Sequence, residues 1–199
     1  MSIKGTILKV FSTEDITKLD SFVYQHVSAS SVWVDAALNH SVLLFVMAGN
    51  VEVFSTRKLT ISEEEQKVII LPKGSRADIS ISAGSVIITF AFLNYFDLLP
   101  MTIAEMQLLD GHDGDIQRWL AIPPYVRILL QEIRAFLADK EIPDVVHRVY
   151  FAKVIRSLEK YYGSKNFASF LAPIVCKRFN AVEKYHKMLL ASENRLEMC

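Results

Sequence analysis

The residues that usually announce catalysis are scarce in this chain. Its 199 residues include only two cysteines, Cys176 and Cys199, which make neither a CxxC pair nor a disulfide framework. Both read as reduced thiols. No Gly-x-Ser-x-Gly elbow occurs, nor a phosphate loop or a dinucleotide fingerprint. The five histidines (His26, His40, His112, His147 and His186) are scattered, and no His-x-His lies on any expected strand. A metal enzyme built on a small β-barrel needs about three His or Glu side chains converging from neighbouring strands. The chain is therefore expected to hold no catalytic metal and no cofactor, and not to be an enzyme.

Long apolar runs are also missing. The longest, Val42–Gly49 and Val86–Leu93 with Thr89 inside it, fall far short of the ~20 residues that cross a bilayer. The opening Met1-Ser2-Ile3-Lys4-Gly5 has one lysine and no apolar core or small-residue cleavage site. No membrane contact is expected, and the cytoplasm is the expected compartment. Charge of one sign is lacking overall, with 22 Lys and Arg against 22 Asp and Glu. Only Asp144–Cys199 departs from this balance, with basic residues outnumbering acidic ones two to one. Such a bias fits a solvated helical face better than a phosphate-binding surface.

What the chain has in quantity is apolar residues, 51% of the total, and a mean hydropathy of +0.25. That is high for a soluble monomer and leaves apolar surface for a partner or ligand to cover. In the first half these residues follow the period of strands. Ala77, Ile79 and Ile81 alternate with Asp78, Ser80 and Ser82, and Val86, Ile88, Phe90 and Phe92 continue on a strand expected to be buried on both faces. Val42–Ala48 and Val51–Phe54 flank Gly49-Asn50, a pair that tolerates positive φ and favours a tight hairpin. Leu71-Pro72-Lys73-Gly74 reads as a turn ending the strand Val68–Leu71. With Ile7–Phe11 and Val32–Val34, about eight strands suit a small antiparallel barrel or jelly roll.

Past residue 100 the period becomes helical. Val126, Leu129, Leu130, Ile133, Phe136 and Leu137 form one stripe of a helix begun by Pro123-Pro124. Val145, Val149, Ala152, Ile155, Leu158 and Tyr162 form a second, stopped by Gly163; Phe167, Phe170, Leu171, Ile174 and Val175 make a third. The expected fold class is α+β: a barrel over residues 1–100, a packed helical region over 101–190 and a polar tail over 191–199. Asp110–Asp115 reads as an exposed connector, since it lacks the spacing and closing glutamate of a calcium loop. Glu63-Glu64-Glu65 reads as a polar tip between strands rather than a catalytic carboxylate pair.

Small-molecule binding would need an apolar cavity. Trp33, Phe45, Met47, Phe54, Phe90 and Phe92 are the candidate lining residues, with Arg57 or Arg76 near strand ends to orient an anion. Core packing is the competing role for each. The helical stripes nominate Leu130, Ile133, Leu137, Val149 and Ile155 for a two-fold interface and hence a homodimer.

Three strand segments, Val42-Leu-Leu-Phe-Val-Met-Ala-Gly-Asn-Val-Glu-Val-Phe54, Val68-Ile-Ile-Leu-Pro-Lys-Gly74 and Val86-Ile-Ile-Thr-Phe90, resemble the cupin-like amino-terminal domain of AraC-type transcription regulators. Leu120-Ala-Ile-Pro123, His147, Tyr161-Tyr162, Phe167-Ala-Ser-Phe-Leu-Ala-Pro-Ile174 and Phe179 resemble the linker helices of that family. The resemblance implies a barrel that accepts a small-molecule effector, helices that dimerise, and a DNA reader of two helix-turn-helix units. Those units are expected to be absent from this chain: Ala181–Leu190 could form one more helix, and the rest reads as tail. DNA would then be reached only through a domain outside these residues. Two other functions remain open at this point: a metal-independent or atypical cupin-like enzyme acting on a small sugar or acid, and a stand-alone protein that heterodimerises with full-length regulators.

Overall fold

The computed structural model describes residues 19–33, 40–54, 58–61, 66–73, 78–92, 119–139 and 142–196. Nine strands are present among them: β1 (Phe22–His26), β2 (Ser31–Trp33), β3 (Ser41–Ala48), β4 (Val51–Phe54), β5 (Lys58–Ile61), β6 (Lys67–Leu71), β7 (Asp78–Ile81), β8 (Val86–Phe92) and β9 (Trp119–Ala121). Two helical elements follow, α1 (Pro124–Asp139) and α2 (Asp144–Leu196). The strands form a five-stranded sheet in the order β1-β8-β3-β6-β9 and a four-stranded sheet in the order β2-β7-β4-β5. Every strand pair is antiparallel. The fold class is thus α+β, as the change of hydrophobic period along the chain predicts.

Alternation within the five-stranded sheet builds two apolar layers. Val42, Leu44, Val46, Ile69, Leu71, Ile87 and Ala91 face a cluster completed by Val51, Val53, Ile79 and Ile81 of the other sheet. Leu43, Phe45, Val68, Ile70, Ile88, Phe90 and Phe92 point the opposite way, into a cluster with Val126, Leu130, Ile133, Phe151, Ile155 and Leu158 of the helices. Covering on both sides explains why β3 and β8 read as nearly continuous apolar runs. The Gly49-Asn50 hairpin forms between β3 and β4, and Gly49 takes φ +86°. A Cβ at Gly49 would overlap Ser85, so both the backbone and the space require glycine.

Three elements depart from the sequence expectation. Trp119–Ala121, expected to lead into a helix, is a strand that pairs with β6 as the sheet edge. The helix waits for Pro124, whose missing N–H costs nothing in the first turn. This strand, lying beyond residue 100, and the helical core shared with the sheet run across the expected boundary between barrel and helices. Gly163 does interrupt α2, with φ 75° and ψ 153°, but the helix resumes and continues without another break to Leu196. Helix therefore occupies Ala191–Leu196, where a polar tail is expected. Among the described residues no helix is long and apolar enough to cross a membrane. The expected strand Ile7–Phe11, the tip Glu63–Glu65, Arg57, Arg76 and the loop Asp110–Asp115 lie outside the described residues.

Candidate functional site

The layer between the sheets is packed mainly with valine, leucine, isoleucine and alanine, and the three central strands of the five-stranded sheet contribute no aromatic ring to it. Among the described residues, Lys67 is a polar side chain in this layer, only 7% exposed, which by strand alternation shares the inward face with Ile69 and Leu71. The Lys67 ammonium stands 4.0 Å from the centroid of the Trp119 ring, and Trp119 itself packs on the aliphatic cluster. A cation over an indole face is stabilised by the ring quadrupole.

The candidate ligand-lining aromatics occupy the other layer. Phe45, Phe90 and Phe92 are fully buried between sheet and helices, and Met47 packs against the same cluster. The Phe90 ring stacks on Phe151 of α2 with centroids 4.0 Å apart and planes 16° apart; Phe92 meets Phe151 at 5.6 Å and Phe22 meets Phe90 at 4.7 Å. These rings join the sheet to the helix. The side chains of Trp33 and Phe54 lie outside the described residues.

The candidate interface residues divide in the same way. Leu130, Ile133 and Ile155 are 0%, 2% and 0% exposed, buried in the chain's own sheet–helix core, and Leu137 packs against that core. In sequence, the stripe that a helix turns toward a second copy looks just like one turned toward its own sheet, as these are. Of the five, Val149 is exposed. Tyr125, Ile128, Phe136, Val145, Val149 and Tyr161 are the exposed large apolar side chains among the described residues, and all are on α1 and α2. Alongside them Tyr150 bonds Glu132 across the two helices at 3.4 Å and meets the edge of Phe136. Desolvation, then the charge of Glu132 and the bond to it, raise the Tyr150 phenol above its ordinary value.

α2 is tied to both edges of the five-stranded sheet. Near its start, Nδ1 of His147 accepts the backbone N–H of Phe22 on β1 at 3.0 Å. At the end of its first arm, the Tyr162 hydroxyl donates to the carbonyl of Ala121 on β9 at 2.6 Å. Burial, and then the neighbouring Tyr161, raise the Tyr162 phenol, keeping it a donor. Arg148 adds an ion pair with Asp20 at 3.0 Å, beside the His147 contact. The sequence marks His147 and Tyr162 only as points of family resemblance. Nothing in their spacing reveals that they reach opposite strands; Lys67 could have been found from its parity with Ile69 and Leu71. Among the described residues no group of three His, Cys, Asp or Glu side chains could hold a metal ion.

No family model matches the sequence, and no curated protein matches it. Solved structures do. The chain is similar to ToxT from Vibrio cholerae at 12% identity and a TM-score of 0.43, over 71% of this chain and 56% of that one. An unsaturated fatty acid-bound form of ToxT gives 12% identity and 0.40, over 71% and 54%. The cupin domain of Schizosaccharomyces pombe Cnp3 gives 16% identity and 0.25, over 34% and 48%. The matched part thus spans little more than half the length of ToxT.

Proposed function

We propose that these residues are the ligand-sensing and dimerisation part of an AraC-type transcription regulator, acting by binding rather than turnover. The observation that carries this reading is the five-stranded sheet as a shared wall. One face packs into the aliphatic layer between the sheets and the other is packed on α1 and α2. A compact apolar effector that separates or draws together the two sheets would load strands whose opposite face holds Phe151, Ile155 and Leu158 of α2. Protein interiors are close-packed and transmit such strain. The signal would be a shift between helix arrangements, and only an effector with different affinities for the two would produce it.

The output in this proposal is a homodimer that positions a DNA reader outside these residues. Two features support it: the large apolar side chains left exposed on α1 and α2, and the unbroken helix over 164–196, which leaves no helix-turn-helix in that arm. Sedimentation velocity at tens of micromolar, where weak interfaces still associate, tests the dimer: the expected result is a two-fold species. A monomer throughout that range would remove the dimerisation role. Base-discriminating duplex binding by these residues alone, persisting in salt, would overturn the placement of the reader elsewhere.

A further inference from the structure

Within three residues, β9 meets three different surroundings. Trp119 packs on the aliphatic cluster between the sheets, with the Lys67 ammonium 4.0 Å from its ring centroid. Leu120, 0% exposed, turns the other way into the core between sheet and helices. Ala121, paired with Lys67 of β6, presents its carbonyl to the Tyr162 hydroxyl at 2.6 Å. Gln66 secures the strand's exit: its carbonyl accepts the N–H of Ile122 at 2.9 Å, and its side-chain amide donates to the Met47 carbonyl at 2.7 Å.

Tyr162 also holds two parts of the molecule. Its hydroxyl is on β9, while its own carbonyl accepts the side-chain amide of Asn166 at 3.1 Å, in the second arm of α2 that follows Gly163. Gly163, at φ 75° and ψ 153°, occupies a backbone region that residues with a Cβ rarely adopt. The second arm then buries Phe167, Phe170 and Leu171 in the core that also takes Leu120 and Ile122. The arm is thus attached through a hydrogen bond and through an apolar face, and β9 takes part in both.

We infer that β9 is a lever by which the layer between the sheets aims the second arm of α2, with Tyr162 as the clasp and Gly163 as the elbow. The inference rests on the sensing role proposed above and names its route to the output. An effector seated between the sheets meets Trp119. In a close-packed interior the strand cannot yield there without moving Leu120 and the Ala121 carbonyl. The Tyr162 hydroxyl follows that carbonyl, and the turn is taken up at Gly163, where the dihedrals already depart from helix. Thirteen residues of helix from Gly163 to Cys176 reach about 20 Å, so a turn of about 10° carries Cys176 through about 3 Å.

The test reads the bend directly, by double electron–electron resonance between spin labels on Arg156→Cys, exposed on the first arm, and the native Cys176 on the second. Cys199→Ser removes the other thiol, and excess unlabelled chain confines the signal to distances within one molecule. Twenty residues of straight helix span about 30 Å; the elbow should give a single shorter distance. Trp119→Leu should shift that distance by about 3 Å, the lever-arm displacement expected for helix of this length. In a Tyr162→Phe background the same substitution should produce less than half that shift. A straight-helix distance in the unaltered chain would remove the elbow. A folded Trp119→Leu chain with an unmoved distance would overturn the lever, and an undiminished shift without the Tyr162 hydroxyl would overturn the clasp. Should Trp119→Leu fail to fold, Trp119→Phe, which keeps a smaller ring, should give a smaller shift with the same dependence on Tyr162, and the same outcomes decide. The cycle uses neither effector nor dimer. Its failure would leave the sensing role with another route, through Phe90 and Phe151, whereas a monomer in sedimentation would remove the dimeric output and leave the lever standing.

Discussion

His147 and Tyr162 stand fifteen residues apart on α2, and their side chains end on the backbones of β1 and β9, the two outer strands of one sheet. Fifteen residues of helix rise about 22 Å, and four interstrand gaps span about 19 Å. The first arm of α2 is thus long enough to cross the sheet like a strap, with Phe151 stacked on Phe90 between its ends.

Tyr162→Phe removes the hydroxyl that reaches Ala121 and leaves the ring. One hydrogen bond of this kind contributes about 0.5–1.5 kcal/mol net. The urea midpoint should fall by a corresponding amount with an unchanged slope, because the sheet–helix core survives. A larger loss with an altered slope would mean that the tie holds the whole arm on the sheet.

The stack at the middle of the strap should be the stronger attachment. Truncating Phe151 or Phe90 to alanine is expected to cost about 3–5 kcal/mol. Because the two rings touch, a double-mutant cycle should return a coupling of about 0.5–1.5 kcal/mol beyond additivity. Leu44 lies on the opposite face of the sheet. Combined with Phe151→Ala, Leu44→Ala should be closer to additive, and strong coupling there would show that the wall transmits strain already without a ligand.

What the sequence disclosed follows from what periodicity can report. It locates a strand and says that one face is apolar, so β3, β4, β8 and the Gly49 hairpin were legible, as was the Pro124 start of α1. β1 was not: FVYQH is half-buried along most of its length because it is an edge, and the alternation is blurred. Periodicity is equally silent about which neighbour an apolar face meets. Phe90 on its strand and Ile133 on its helix are both buried, but the layer that holds them is the one between sheet and helices. Contacts such as His147 to Phe22, 125 residues apart, leave no local trace at all.

That distinction gives the dimer a discriminating test. Ile128 is 52% exposed on α1, whereas Ile133, five residues on, is 2% exposed. Ile128→Asp should leave the unfolding transition nearly in place and weaken self-association. Ile133→Asp puts a charge into the apolar core and should lose several kcal/mol or fail to fold. If Ile128→Asp leaves association untouched, the interface lies elsewhere, and Val145 and Val149 on α2 are the next apolar positions to change.

Alkali should loosen the hairpin between α1 and α2. The Tyr150 phenol is raised by desolvation first, then by the charge of Glu132 and the bond to it. A raised value in the folded state means that the contribution is complete below about pH 10, the ordinary value, and is lost as pH climbs through the folded value. Tyr150→Phe cannot ionise and should flatten that part of the stability profile, measured by thermal unfolding between pH 8 and 11 against the unaltered chain. Glu132→Gln keeps an acceptor for the hydroxyl but removes the charge, so it should leave a shallower decline than the unaltered chain shows. Identical slopes for all three would mean that the contact between Tyr150 and Glu132 carries no stability in solution, leaving the pairing of α1 with α2 to the buried stripe alone.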